Sequence, residues 1–511
     1  LGERFALSGG LRETLYNAGV GHLLAISGLH LGLVAGFCFL IFHFILARTT
    51  FVSCRWGARP GAALGAFLAS LAYGFLTGMG LPALRATIML AVFSLALMIR
   101  RERDLFNSLL LAALLILILY PEALFTASFQ LSFIGVFTLV WVLPLVPSII
   151  SHQAGREGKY RRLGLRVYQF VCGSFFLSIF TAPLVLYHFH RLTPVGLASN
   201  LVVVPLVGFL ILPTGLLALC FLPISTAFAG FLLTLGSLGL NLVIWIATEL
   251  SSLSWATLWP GTPKVWQVGL AYGPLLVPFI KAPRWQRASI FMVCSLLLLV
   301  FSWLLSGHFS PARSFLRVTY LDVGQGNSAV VELPGGAAML IDGGGFQGSL
   351  FDLGRHVVAP YLWHRGIRRL EAMVLSHAHP DHFKGLLFVA KHFPIKQFWY
   401  NNAYVDHPEF IELINSVVQK KVDCLGPREL TSPLRFYGVN VQVLHPPPDS
   451  SPSSRVLTDG ELNNLSLVIR LQYKKVSFLF PGDIEKEAEF RLAKLPSVDP
   501  ADVLLVPHHG S

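Results

Sequence analysis

The segment Ser376-His377-Ala378-His379-Pro380-Asp381-His382 gathers three imidazoles and a carboxylate within six residues. Such groups are costly to bury unless something binds them. On an extended segment residues i and i+2 point to one side, so His377 and His379 can grip one cation together. Pro380 turns the chain, and Asp381 and His382 can then face a second cation from the following helix. Imidazole and carboxylate ligands with open coordination positions are what catalytic zinc sites use. Two ions ~3.5–4 Å apart activate water and stabilise a leaving oxygen. Asp381 is the carboxylate placed to orient that water and act as base.

The elements that must carry these groups are strands. Phe315–Val323 alternates with period two, Gly324-Gln325-Gly326-Asn327-Ser328 interrupts it, and Ala329–Leu333 resumes it. Pro334-Gly335-Gly336 marks a hairpin, and Ala338–Ile341 reads as a buried strand ending in Asp342. A mixed helical stretch at 351–367 precedes a further apolar strand, Glu371–Ser376, which delivers the histidine cluster. Val476–Phe480 leads to Pro481-Gly482-Asp483, and Val503–Val506 leads to Pro507-His508-His509-Gly510. Several strand ends bearing His or Asp point to one convergent site at a sheet edge. Asp483 is placed to bridge two ions, and either His508 or His509 to complete the ligand set. Asp342 reads as a residue that orients ligands from behind. A solvated histidine loop would not explain so many ligand-type strand ends.

The rest of the chain is different in kind. Of 511 residues, 54% are hydrophobic and 13% charged, against about 25% charged in ordinary soluble domains. That excludes a fully soluble globular protein and, equally, a disordered one. Residues 1–310 hold 19 Lys+Arg and 7 Asp+Glu, whereas residues 311–511 hold 20 of each. A polytopic helical membrane domain over 1–310, followed by an α/β domain over 311–511, accounts for this split. Stretches of ~20 apolar residues span a bilayer, and ten are expected: 23–47, 61–79, 82–99, 105–120, 128–147, 167–187, 195–222, 226–250, 268–280 and 288–305. Basic residues follow the first, third, fifth and ninth spans, notably Arg48, Arg100, Arg161 and Lys281. Basic loops mark the cytoplasmic side, so the α/β domain should face away from the cytoplasm. The net charge of +12 is then chiefly a topology signal. Within the spans His30, Arg85 and Gln130 are the polar groups with most to explain, since charge in lipid usually faces a bundle interior or a wet path. Gly28, Gly32 and Gly36, four apart, predict a close helix contact. The six cysteines form no CxxC pair, so neither a zinc ribbon nor a disulfide framework is indicated.

His377-x-His379-x-Asp381-His382, together with Asp342 and Asp483, resembles the metallo-β-lactamase superfamily, whose fold is an αβ/βα sandwich of two sheets. The membrane part resembles the ComEC family of DNA-internalisation competence proteins, through His22–Gly32, Pro82-Ala-Leu-Arg85-Ala86 and Ser128-Phe-Gln130-Leu-Ser132-Phe. Asp322-Val-Gly324-Gln325-Gly326, Asn463-Asn464-x-Ser466, Gly482-Asp483-Ile484 and His508-His509-Gly510-Ser511 extend the likeness in the family's order. The resemblance implies a channel in the bacterial cytoplasmic membrane that passes one DNA strand, while the lactamase-like domain degrades the other with one or two divalent ions, Zn or Mn. It also implies a separate DNA receptor and, as no P-loop occurs, a separate cytoplasmic motor protein. His30, Arg85 and Gln130 are then expected along the strand's path.

The pattern departs from the family at Asn327, where an acid is usual, and at Asn463 or Asn464, where the superfamily has a histidine; His445 is a candidate substitute. The chain starts at Leu1 and stops at Ser511 without the family's N-terminal OB-like domain or the segment that completes the sheet, so a C-terminally truncated fragment is expected. Two other readings compete with the nuclease-bearing channel. One is a membrane-tethered metallohydrolase of a small ester or lactam; the other is a DNA permease with a catalytically silent module.

Overall fold

In the computed structural model, residues 7–24, 28–49, 58–99, 105–142, 159–273, 286, 289, 290, 293, 294, 297, 314–346, 348, 351–450, 457–494 and 500–510 are described. The chain divides into two compact units, Leu1–Ser302 and Trp303–Ser511.

The first unit is helical. Its main helices are α1 (Gly28–Arg48), α2 (Ala58–Leu76), α3 (Leu81–Met98), α4 (Leu105–Leu119), α5 (Ala127–Val142), α6 (Lys159–Phe189), α7 (Gly196–Phe221, with a π turn at Val207–Ile211) and α8 (Thr226–Ser251). Large apolar side chains such as Phe44, Phe75, Ile118, Phe209 and Leu238 lie on the outside, while α2 buries Ala62, Ala63, Ala66, Ser70 and Gly74. Small residues inside and large apolar ones outside are the arrangement of helices packed in lipid. Five segments are long and apolar enough to cross a membrane: α1, α3, Gly164–Phe189 of α6, α7 and α8.

Ten spans were expected, and five helices meet the requirement among the described residues. Helix α4 has 15 residues, about 22 Å at 1.5 Å per residue, against a hydrocarbon core of about 30 Å. Helix α2 carries Arg59 and many small residues, which dilute its apolar character. Of the ninth expected span, a helix covers Val265–Ala271; residues 274–280 and most of 288–305 lie outside the described residues. So do Arg100 and Lys281 of the basic loops. The expected glycine contact is also corrected. A Cβ on Gly28 would touch Ala86 at 3.5 Å, but Gly32 and Gly36 have no neighbour within 4 Å among the described residues. Close approach between α1 and α2 uses Gly61 and Gly65 instead, against Leu46 and Phe42.

The second unit contains two sheets. The first runs β1 (Arg317–Tyr320), β2 (Ala329–Glu332), β3 (Ala338–Ile341), β4 (Leu370–Val374), β5 (Ile395–Trp399) and β6 (Asp423–Leu425), in that spatial order. Strands β1 to β3 form an antiparallel meander, and β3 to β6 are parallel. The crossovers are helical: α9 (Ala359–His364), α10 (Pro380–His392) and α11 (Pro408–Gln419). The second sheet holds β7 (Leu434–Phe436), β8 (Val439–His445), β9 (Val468–Tyr473), β10 (Val476–Phe480) and β11 (Val503–Leu504), in the order β11-β10-β9-β8-β7. Only β10 and β11 pair in parallel there.

Met339, Ile341, Val374 and Trp399 of the first sheet pack with Val441, Ile469, Leu471 and Phe480 of the second in one buried core. Strands β2, β3 and β4 are buried along their whole length, as strands covered on both faces are. Short helix α12 (Asp459–Asn463) precedes β9, and α13 (Lys486–Leu492) covers the second sheet through Ile484, Ala488 and Leu492.

Candidate metal centre

Four segments bring ligand-type side chains to one edge shared by the two sheets. Asp342 follows β3, the histidine cluster follows β4, Asp483 follows β10, and His508-His509 follows β11. Asp342 adopts φ 55°, a left-handed conformation uncommon outside glycine and tolerated best by Asp and Asn. This turns its carboxylate back toward the next strand. Oδ1 accepts from the Ser376 amide at 2.8 Å, and Oδ2 accepts from Nδ1 of His382 at 2.9 Å. The loop after Asp342 lies against the first turn of α10 so closely that a Cβ on Gly345 would sit 2.0 Å from the Pro380 carbonyl oxygen. Gly326 plays the same part from the other side, at φ 108° and 2.3 Å from the Asp381 carbonyl oxygen.

With Nδ1 held by Asp342, the fully buried His382 presents Nε2 to Asp483 Oδ2 at 3.2 Å. His509 Nε2 lies 3.0 Å from the same oxygen and 3.3 Å from Asp381 Oδ2. One ligand atom each from Asp381, His382, Asp483 and His509 thus falls within 4.8 Å of the others. His377, also buried, stands beside them: its Nδ1 is 3.1 Å from Ser376 Oγ and its Nε2 is 3.0 Å from His379 Nδ1.

The donor set fits a divalent cation. Two carboxylates and two imidazoles converge, and the buried Nε2 of His382 makes no hydrogen bond. Buried polar atoms are ordinarily satisfied, and an imidazole nitrogen left over beside a carboxylate is what a metal ion would take up. The electrostatics agree. Burial pulls His382 down, but Asp342 and Asp483 override it and raise the imidazole to about 10. Hydrogen bonds to Asp381 and Asp483 raise His509 to about 9. Burial pushes Asp483 and Asp381 up, yet His382 and His509 hold both carboxyls below the usual range, Asp483 far below it. Without an ion, protons on the histidines supply the positive charge the carboxylates demand.

The sequence left His508 and His509 as alternatives. His509 joins the group, whereas His508, at φ 48°, stands outside it among the described residues. His445 does not substitute for the missing histidine. Burial lowers its pKa, and its Nε2 donates to the Asn464 carbonyl oxygen at 2.8 Å. Asn463 donates to Glu485 Oε1 at 3.0 Å, and Asn464 Oδ1 accepts from the Glu485 amide at 3.0 Å. Both asparagines thus fasten α12 to the start of α13. Asn327, where an acid was expected from the resemblance, points its amide at Asp483 Oδ1, 3.4 Å away.

Sequence reasoning gave no separate role to Ser376, whose hydroxyl lies within 3.2 Å of Nδ1 on both His377 and His382. It missed Asp459, 3.5 Å from His379 Nε2; the only signal was Thr458-x-x-Glu461, the pattern of a capping box.

In the helical unit, Arg85 on α3 is 6% exposed and donates through Nη2 to Ser128 Oγ on α5. Gln130, two residues along α5, donates to the Leu124 carbonyl oxygen at 2.9 Å and accepts from His188 Nε2 at 2.9 Å. Arg85 and Gln130 therefore both engage the start of α5. His30 lies near the N-terminus of α1 beside Leu31, which packs on Ala83 and Ala86 of α3.

This candidate His/Asp metal site lies at the joint edge of two facing sheets, and residues 321–511 match the metallo-beta-lactamase superfamily. The five long apolar helices that precede it point to a membrane protein. Residues 1–285 match the competence protein family, and the chain belongs to that family. ComE operon protein 3 of Bacillus subtilis (strain 168) is 27% identical over all of this chain and 63% of its own length. Competence protein ComA of Neisseria gonorrhoeae is 29% identical over all of this chain and 65% of its own. Recombination protein 2 of Haemophilus influenzae is 27% identical, with 63% of its length covered. The chain thus spans just under two thirds of the length of these relatives.

Proposed function

We propose that this chain forms a DNA-uptake channel in the bacterial cytoplasmic membrane, passing one strand inward while its lactamase-like unit hydrolyses the other. The supporting observation is the convergence of Asp381, His382, Asp483 and His509 in a chain of the competence family. One or two divalent ions, Zn²⁺ or Mn²⁺, held there would supply an activated water and charge neutralisation at the phosphate. Asp381 is partly exposed and held below the usual carboxylate range by His509 and His382, so it stays ionised and accepts a hydrogen bond from an approaching water, orienting it. Asp342 keeps His382 pointed inward, and His509 steadies Asp381 and Asp483.

Ten spans, with basic loops inside, would leave the lactamase-like unit outside the cytoplasm, where incoming duplex arrives. His30, Arg85 and Gln130 would line or support the strand's path, since a backbone with one charge per nucleotide needs cationic and hydrogen-bonding groups in a wet channel. A separate receptor would deliver the DNA, and a cytoplasmic motor protein would draw it in. Labelled duplex supplied to cells tests the nuclease half: nucleotides appear in the medium with the wild-type chain and do not with Asp483→Ala. Undiminished release from the variant contradicts it.

A second reading, a permease with a catalytically silent module, is favoured by one contact. The Asn327 amide occupies Asp483 Oδ1, an oxygen otherwise available to a second ion. Uptake without metal-dependent cleavage would select this reading.

A further inference from the structure

The end of the strands opposite the metal centre carries a different set of side chains. Arg368 and Arg369 precede β4, Lys396 lies at the start of β5, and Lys474-Lys475 makes the turn between β9 and β10; all five are exposed. The parallel pairing of β3 to β5 and the antiparallel hairpins of the second sheet bring these positions to one end. Contacts between the sheets join them there. A Cβ on Gly335, in the β2–β3 turn, would meet the Tyr437 ring at 3.1 Å. Tyr473 donates through its hydroxyl to the carbonyl oxygen of Ser314, three residues before β1, at 3.2 Å.

Aromatic rings stand among the cations. Phe315 is 48% exposed and Tyr437 51% exposed. Arg317 lies over the Phe315 ring at 5.3 Å, and Lys474 over the Tyr473 ring at 5.2 Å. Tyr437 and Lys474 hold left-handed turn positions, at φ 50° and 55°, which glycine or asparagine fills at less cost. The acids nearby are largely engaged: Glu332 by Arg365, Glu371 by Lys396, and Asp502 by the amide and hydroxyl of Ser477. Asp423, exposed, begins the outermost strand of the first sheet. A unit whose Lys+Arg and Asp+Glu balance thus has acids at its metal centre and cations with aromatics at the other end.

We propose that this end of the α/β unit docks on the anionic headgroups of the membrane. Clustered Lys and Arg are drawn to an anionic lipid surface, and amphipathic rings such as tyrosine settle at headgroup level. The chain also carries five helices long and apolar enough to cross a bilayer, so that surface is at hand. Nucleic acid fits less well. The five residues of β4 separate Arg369 from the histidine cluster by about 17 Å, so a strand held here would lie away from the metal centre. Docked in this way, the unit presents its metal centre away from the lipid.

Acetylation of lysines by an amine-reactive reagent is followed by mass spectrometry on the full chain in lipid nanodiscs, made of phosphatidylcholine alone or with added phosphatidylglycerol. Lys474 and Lys475 should react about tenfold more slowly in the anionic discs. Lys486, which opens α13 just after Asp483 at the metal-centre end, should react at the same rate in both. The slowing should vanish in about 1 M salt, where the Debye length is ~3 Å. Arg368→Gln combined with Arg369→Gln should restore fast reaction at Lys474 and Lys475 and leave divalent-ion affinity unchanged. Equal rates at Lys474 and Lys475 in the two discs overturn the proposal, as does equal slowing at Lys486. Slowing caused by a single-stranded oligonucleotide in neutral discs, and not by anionic lipid, overturns it in favour of a nucleic-acid surface. None of these outcomes depends on whether the metal centre cleaves DNA.

Discussion

His382 Nε2 lies 3.2 Å from Asp483 Oδ2, with both groups buried, yet the nitrogen makes no hydrogen bond. The ring is turned to this position from behind, by the 2.9 Å contact of its Nδ1 with Asp342. Replacing Asp342 with Asn keeps the size and tolerates the left-handed backbone, but it removes the charge that orients the ring. Asp342→Asn should therefore bind a divalent ion about 10–100-fold more weakly with an unchanged circular dichroism spectrum. Wild-type affinity in a metal titration would contradict the role assigned to Asp342.

Protons and cations compete for the same nitrogens. In the ion-free protein, His382 and His509 are raised from 6.5 to about 10 and about 9. A raised histidine contributes stability that is fully present below about 6.5 and is lost as pH climbs through the raised value. A cation must displace those protons, so its affinity should increase with pH up to about 9–10. At pH 7, calorimetry in buffers of different ionisation enthalpy should show about two protons released per ion. Heats independent of the buffer would contradict this.

Backbone proximity carries the site as much as charge does. A Cβ at Gly345 would meet the Pro380 carbonyl oxygen at 2.0 Å, at the start of the helix that bears Asp381 and His382. Gly345→Ala should displace that turn and weaken ion binding at least about tenfold, at a cost of about 1–3 kcal/mol for overpacking. Unaltered binding would show that the loop can yield without moving the ligands.

In the helical unit, Arg85 and Ser128 join α3 to α5. If Arg85 serves the strand's path, Arg85→Ala should abolish uptake of labelled DNA in cells that hold normal amounts of the protein in the membrane. Arg85→Lys should restore part of it, since the charge survives although the planar donor fork does not. Wild-type uptake in Arg85→Ala would exclude the residue from transport.

Much of this was legible in the sequence because buried strands leave strong traces. Ala338–Ile341 and Val476–Phe480 are apolar runs that stop at Asp342 and Asp483, and a carboxylate at such a stop has few structural uses. His508 and His509 could not be told apart, since both follow the same strand and both adopt left-handed backbone; only the fold decides which ring turns inward. Asp459 was invisible for a different reason. It sits among polar residues, where a carboxylate looks like solvated surface, and its meaning comes from His379, 80 positions earlier.

Spacing also misled. Gly28, Gly32 and Gly36 share a face of α1, but a face does not name its neighbour, and Gly61 and Gly65 make the close contact. Hydropathy marks the apolar run of α4 but not its bounds; 15 of its residues, Leu105–Leu119, are helical among the described residues.

The most direct test is cleavage of end-labelled DNA by the purified full-length protein with Mn²⁺ or Zn²⁺ added. The account predicts cleavage that stops with a chelator, returns with the metal, and is lost in both His382→Ala and Asp483→Ala. Cleavage indifferent to chelation, or retained in both variants, would contradict it.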